Sequence, residues 1–267
     1  MNYIIVQARM GSTRLPGKVL KKVCGKTLLE LQNERIQMVA GIDRIVIATT
    51  VAAGDDEIVQ VCTKNGIDCF RGSENDVLDR YYQAACNLGC KPEDTILRIT
   101  ADCPLIDPQV VTSVLQLYDE AGADYASNTD PPTYPDGLDV EVFSFAVLAR
   151  TWQEAALPSE REHVTPYIRN RPELFTQVNL KNDIDLSNLR WTVDNPEDFE
   201  LVRLIYENLY ILKRDFLMRD ILELLDKNPH YKNINNSFRR NEGYQKSLLE
   251  DAHLLNTIKA GDNNGER

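Results

Sequence analysis

Strand-like and helix-like runs alternate through the first 121 residues of this chain, and that alternation leaves few folds open. The apolar, β-branched runs at 3–6, 43–50, 67–70 and 94–100 read as buried strands. Between them lie helix-patterned stretches. Residues 27–38 place Leu28, Leu31 and Ile36 near helical spacing, and acidic Asp55, Asp56 and Glu57 suit the start of the next helix. Residues 76–88 form a third such stretch, and 108–121 a fourth, with Asp107 as N-cap and Pro108 at the first helical position. Strands and helices in strict alternation predict an α/β fold: a Rossmann-like, mostly parallel sheet with helices on both faces and ligand sites at the carboxyl ends of the strands.

After residue 121 the rhythm breaks. A short strand at 124–127 leads into residues 128–137, whose three prolines and one glycine make a loop and a candidate lid or acceptor-binding segment. Strands at 139–143 and 175–180 flank helices at 145–156 and 160–170, so 128–182 is expected to be a smaller α+β insertion. A last strand at 190–193 and helices at 196–209 and 215–226 complete a main domain over 1–227. From 228 to 267 the chain is a polar extension. Leu248, Leu249, Leu254 and Leu255 suggest a docking helix over 244–258, and 260–267 read as disordered.

Composition narrows the partners. A formal charge of −11 argues against duplex nucleic acid or an anionic membrane as the main partner, since both demand clustered cations. No run approaches the roughly twenty apolar residues of a membrane span, and no charged stretch followed by an apolar core opens the chain. A cytoplasmic location is expected. All six cysteines fall in the first 103 residues without a C-x-x-C pair, which favours buried free thiols over zinc.

The first strand breaks into Gln7-Ala8-Arg9-Met10-Gly11-Ser12-Thr13-Arg14-Leu15-Pro16-Gly17-Lys18. Small residues that expose backbone N–H groups, joined to three cations, are what a phosphate-binding turn needs. The loop matches neither the Walker pattern nor G-x-G-x-x-G, and by spacing alone it is equally a basic surface loop.

The ordered motifs carry more information. The loop resembles the nucleotide signature of the sugar-acid cytidylyltransferases, among them the 3-deoxy-manno-octulosonate and acylneuraminate enzymes, and is most like the members named for spore-coat polysaccharide biosynthesis. Further matches lie at 71–80, at Arg98-Ile99-Thr100-Ala101-Asp102-Cys103-Pro104, at 134–141, at Glu162-His163-Val164-Thr165-Pro166-Tyr167 and at 190–198, so the resemblance covers roughly 1–225. It implies transfer of CMP from CTP to a sugar acid or related acceptor with release of pyrophosphate, a Mg²⁺ ion, and a homodimer formed through the insertion.

Residue by residue, backbone N–H groups of Gly11, Ser12 and Thr13, with Arg14, Lys18 and Arg80, are expected to hold the triphosphate. Asp102 and Asp194 each follow a β-branched run. Alone, either reads as a turn or N-cap residue, but the resemblance makes both Mg²⁺ ligands. Ala8, Arg9 and Thr100 are the expected base contacts. The acceptor is expected to meet Tyr134, Asp136, Asp139, Glu141, Glu162, His163 and Arg190. A D-x-D string, Asp183-Ile184-Asp185, keeps a metal-dependent glycosyltransferase open as an alternative, and a cytidylyltransferase for a phosphorylated or phosphonate acceptor is another. A catalytically silent nucleotide-binding module is a third.

Overall fold

A computed structural model describes residues 1–238 and 240–262, without the side chains of 257–262. In chain order the elements are β1 (Asn2–Gln7), β2 (Lys22–Val23), β3 (Lys26–Thr27), α1 (Leu28–Ile36), β4 (Arg44–Thr50), α2 (Asp56–Lys64), β5 (Asp68–Gly72), α3 (Val77–Asn87), β6 (Thr95–Thr100), α4 (Pro108–Ala121), β7 (Tyr125–Ser127) and β8 (Glu141–Ser144). Then follow α5 (Phe145–Glu154), α6 (Pro158–His163), α7 (Pro166–Arg169), β9 (Gln177–Asn179), α8 (Pro196–Leu209), α9 (Met218–Lys227) and α10 (Glu242–Asp262).

The main sheet runs β5-β4-β1-β6-β8-β7-β9. Its first four members are parallel, as the alternating pattern predicts. β8 then turns antiparallel against both β6 and β7, and β9 pairs parallel with β7. Period-two alternation in β1 explains the layering. Ile4 and Val6 point to a core shared with Leu29, Ile36 and Ile58, while Ile5 points to the opposite core with Leu78, Tyr81 and Leu148. Helices therefore cover both faces.

Local signals set the helix ends. Thr27 closes a capping box with Glu30, Asp107 accepts from the Gln109 amide at 2.8 Å, and Gly122 ends α4 in the left-handed region at φ 56°. The stretch expected as one helix over 160–170 is two. Pro166 lacks an N–H and crowds the preceding turn, so α6 ends and Val164 takes φ 72° before α7 restarts.

Two further expectations change. Residues 190–193 are not a strand but a strap whose N–H groups go to different loops: Trp191 to the Asp136 carbonyl at 2.6 Å, and Val193 to the Asp102 carbonyl at 2.7 Å. Of the six thiols, only Cys62 and Cys103 are buried, and Cys86 is exposed. The polar C-terminal stretch carries α10, which seats Ser247 and Asp251 in buried positions and extends to Asp262. Of the segment expected to be disordered, 263–267 lies outside the described residues.

Gly137 makes the strap's approach sterically allowed. It sits at φ 107°, and a Cβ there would lie 2.5 Å from the Thr192 nitrogen and 2.7 Å from the Trp191 carbonyl carbon. Gly137→Ala is expected to lower stability by on the order of 1–3 kcal/mol from backbone strain alone, with the clash added. A fall in the urea unfolding midpoint checks this, and an unchanged midpoint refutes it.

Candidate active site

Paired register puts the loops after β1 and β6 side by side: Gln7 lies opposite Thr100, and the Ala101 amide donates to the Gln7 carbonyl at 3.0 Å. The strap then joins them, because Val193 N and Thr192 Oγ1 both donate to the Asp102 carbonyl. Two aspartates 92 residues apart in the chain thus meet beside the 7–18 loop. A cavity of about 810 Å³ opens over this junction.

The loop is held by its own hydrogen bonds. The Met10 amide donates to Asp55 Oδ1 at 2.7 Å, Ser12 N and Gly17 N both donate to the Met10 carbonyl, and Gly17 takes φ 65°. Among the described residues the amides of Arg9, Gly11, Thr13 and Arg14 have no acceptor, and all four residues line the cavity. Unpaired N–H groups on a fixed loop make an anion cradle.

Lys18 is the centre. Its Nζ donates to Asp102 Oδ2 at 3.0 Å and to Asp194 Oδ1 at 2.8 Å. Burial alone would depress this ammonium, but the two carboxylates outweigh it and raise its pKa. Asp102 answers in kind. Burial opposes its ionisation, yet Lys18 and the Thr100 hydroxyl hold it down to about 2. Arg14 lies 3.3 Å from Asp194 and donates to Glu242 Oε2 at 2.9 Å. Asp194 also accepts from Arg190 Nη2 at 2.7 Å.

Around this centre the other expected nucleotide residues line the same cavity: buried Ala8, exposed Arg9, Ser12, Thr100 and Arg80. Arg80 is fully buried and donates to the Ser73 carbonyl at 2.6 Å, while its Nε has no partner among the described residues. Burial lowers its pKa, and the nearby charge of Arg9 adds to the effect.

The expected acceptor set divides. Asp136, Asp139, Glu141, Glu162, His163 and Arg190 line the cavity. Tyr134 does not. Its ring packs in the apolar cluster with Leu15, Leu138 and Trp191, because the 134–138 turn needs an apolar anchor under the strap. Glu141 reaches the wall with its oxygens already engaged by Arg98, Tyr125 Oη and Thr165 Oγ1, so it braces the wall. Arg190 ties Asp136 at 2.8 Å and Asp198 at 3.0 Å as well as Asp194. Burial, reinforced by Asp139, pushes Asp136 up to about 7 against the pull of Arg240 and Arg190. Asp183 and Asp185 are not among the cavity-lining residues, and Asp185 accepts from the Ser187 amide at 2.9 Å.

Sequence reasoning missed Arg98, Arg169 and Arg240, all of which line the cavity. An arginine inside the β-branched run 95–100 is a legible signal, since a buried strand charge needs a reason. Arg240 gave no signal, lying in a polar stretch with no periodicity.

His163 Nε2 sits 3.0 Å from Ser247 Oγ, with Tyr244 edge-on at 5.2 Å. Burial, helped by Arg98 and Arg169, lowers its pKa from 6.5 to about 4. The unfolded chain therefore takes up this proton first, and the stability tied to neutral His163 is lost as pH falls from 6.5 toward 4. His163→Gln is expected to flatten that part of the pH profile. Urea unfolding at stepped pH measures it, and parallel wild-type and variant profiles refute it.

A family model described as cytidylyltransferase matches residues 3–221. An uncharacterised protein of Methanocaldococcus jannaschii is 38% identical over 248 residues, 92% of this chain and 97% of its own length. The spore coat polysaccharide biosynthesis protein SpsF of Bacillus subtilis is 35% identical over 232 residues, covering 84% of this chain and 94% of its own. Among solved structures, a cytidylyltransferase from Leptospira borgpetersenii superposes with a TM-score of 0.80 at 35% identity, over 86% of this chain and 95% of its own. With the family model spanning most of its length and the fold and strand-end cavity in accord, this chain belongs to the cytidylyltransferase family.

Proposed function

We propose that the protein transfers CMP from CTP to a sugar acid, releasing pyrophosphate, in the synthesis of a surface polysaccharide. The observation that carries this reading is the Lys18 ammonium between Asp102 and Asp194 beside a loop of unpaired amides. Nucleotidyl transfer forms a bond from an acceptor oxygen to the α-phosphorus and breaks the bond to the leaving pyrophosphate. The protein's contribution is positioning and charge neutralisation. In this reading the Gly11 and Thr13 amides, with Arg14, Lys18 and Arg80, hold the triphosphate, the Ser12 amide being engaged by the Met10 carbonyl instead, and Ala8, Arg9 and Thr100 meet the base.

Two ionised carboxylates that converge on one cation form a donor set suited to a hard divalent ion. Among the described residues no third His, Cys, Asp or Glu joins them, so Asp102 and Asp194 would be the residues that hold Mg²⁺. The ion, when bound, supplies charge stabilisation at the phosphates. Lys18 would then be free to meet the phosphates.

Asp136, Asp139, Glu162, His163 and Arg190 form the acceptor side. The 1–227 domain, with 128–182 as its acceptor-binding insertion, and the 228–267 extension follow the order and composition of the elements, and a homodimer through the insertion follows the resemblance. Among the described residues no helix is long and apolar enough to cross a membrane, and a cytoplasmic location goes with the use of CTP.

Lys18→Ala is expected to lower pyrophosphate release by on the order of 10²–10³-fold. Without Mg²⁺ it should also lower the melting temperature, since the half-buried Asp102 then loses its cation while Asp194 keeps Arg14 and Arg190. Titrating Mg²⁺ is expected to raise the variant's melting temperature more than the wild type's, because the ammonium no longer competes for the carboxylates. Equal response in both proteins removes the ion from this site. A panel of CTP, UTP, GTP and ATP assayed for pyrophosphate release is expected to favour CTP, and preference for another base corrects the donor.

A further inference from the structure

The nucleotide side of the cavity is built within the stretch matched by the family model, but one wall is not. Arg240 and the first turns of α10 lie beyond residue 221 and line the same space. Arg240 pins this wall: it donates to Asp139 and to the Tyr134 carbonyl at 3.2 Å. Asn241 then turns at φ 62°. Farther along the helix, Ser247 Oγ donates to Glu162 at 2.6 Å, and Asp251 Oδ1 accepts from the Ser159 amide at 2.9 Å. These bonds fix α10 across α6.

The wall faces two arginines that each keep an unmatched N–H. Arg98 Nε and Arg169 Nε are buried with no hydrogen-bond acceptor among the described residues, and both arginines line the cavity. A buried, unmatched guanidinium N–H in a cavity wall calls for an oxygen from a ligand. The Arg169 guanidinium lies 5.4 Å from the centre of the half-buried Tyr244 ring. Lys246 adds an exposed ammonium on the same wall.

We propose that α10 is the acceptor-selecting wall of the site, with Tyr244, Lys246 and Arg169 meeting an anionic group of the acceptor, a carboxylate or a phosphate. The proposal rests on the reading above that the cavity takes an acceptor beside CTP. Its chemical logic is that the triphosphate is common to the family whereas acceptors differ, and a wall outside the matched stretch can vary without disturbing the nucleotide. Tyr244 supplies a flat face and a hydroxyl. Lys246 supplies a charge free to follow the ligand.

The test measures pyrophosphate release at saturating CTP with 3-deoxy-manno-octulosonate and N-acetylneuraminate as probes. Tyr244→Ala and Lys246→Ala are each expected to raise the acceptor KM about tenfold while the CTP KM stays within about twofold. Lys246→Glu is expected to raise it further, the response of an anionic ligand to reversed charge, whereas a merely structural Lys246 would leave KM alike in the two variants. The position 246 variants are on the surface and keep the test intact should Tyr244→Ala unfold α10. Wild-type turnover with an unmoved acceptor KM in the Lys246 variants overturns this proposal alone, as does an equal rise in both KM values. Wild-type protein that releases no pyrophosphate with either probe overturns the acceptor reading and this proposal together.

Discussion

The Lys18 ammonium between Asp102 and Asp194 is the contact on which the site's geometry depends. The three groups come from the β1 loop, the β6 loop and the strap before α8. Each carboxylate would be costly beside the other without a cation, and the ammonium would be costly in its buried position without an anion. Together they hold three loops in one register.

That contact needs a support. Arg190 binds Asp136, Asp194 and Asp198 at once, a planar fork matched to several carboxylates. Asp198 in turn accepts from the amides of Asp194 and Asn195, capping α8 while it holds Arg190. The helix start and the carboxylate position are therefore one structure. Gly137 allows the backbone beneath it to close, and Trp191 buries its ring under the strap.

How much of this was legible follows from the range of each interaction. Asp107 with Pro108 marked the start of α4, and the β-branched runs marked the parallel strands, because capping and period-two burial act within a few residues. The strap at 190–193 was misread as a strand. Its composition suits one, but its hydrogen bonds go singly to Asp136 and Asp102, partners that sequence spacing does not name. Tyr134 was misplaced for a similar reason: a tyrosine in a polar loop looks available, and only packing against Leu15 and Trp191 turns it inward.

The sequence by itself determined the α/β class and the start of α4 at Asp107, because these depend on local conformation and on period-two and capping patterns. Tertiary structure decided which charges meet. Lys18 reached Asp102 and Asp194, Glu141 was engaged by Arg98, and Arg240 entered the cavity from a stretch that read as featureless. Electrostatic partners are chosen by distance in space, and under a parallel sheet the residues closest in space are loops that the chain keeps about a hundred positions apart.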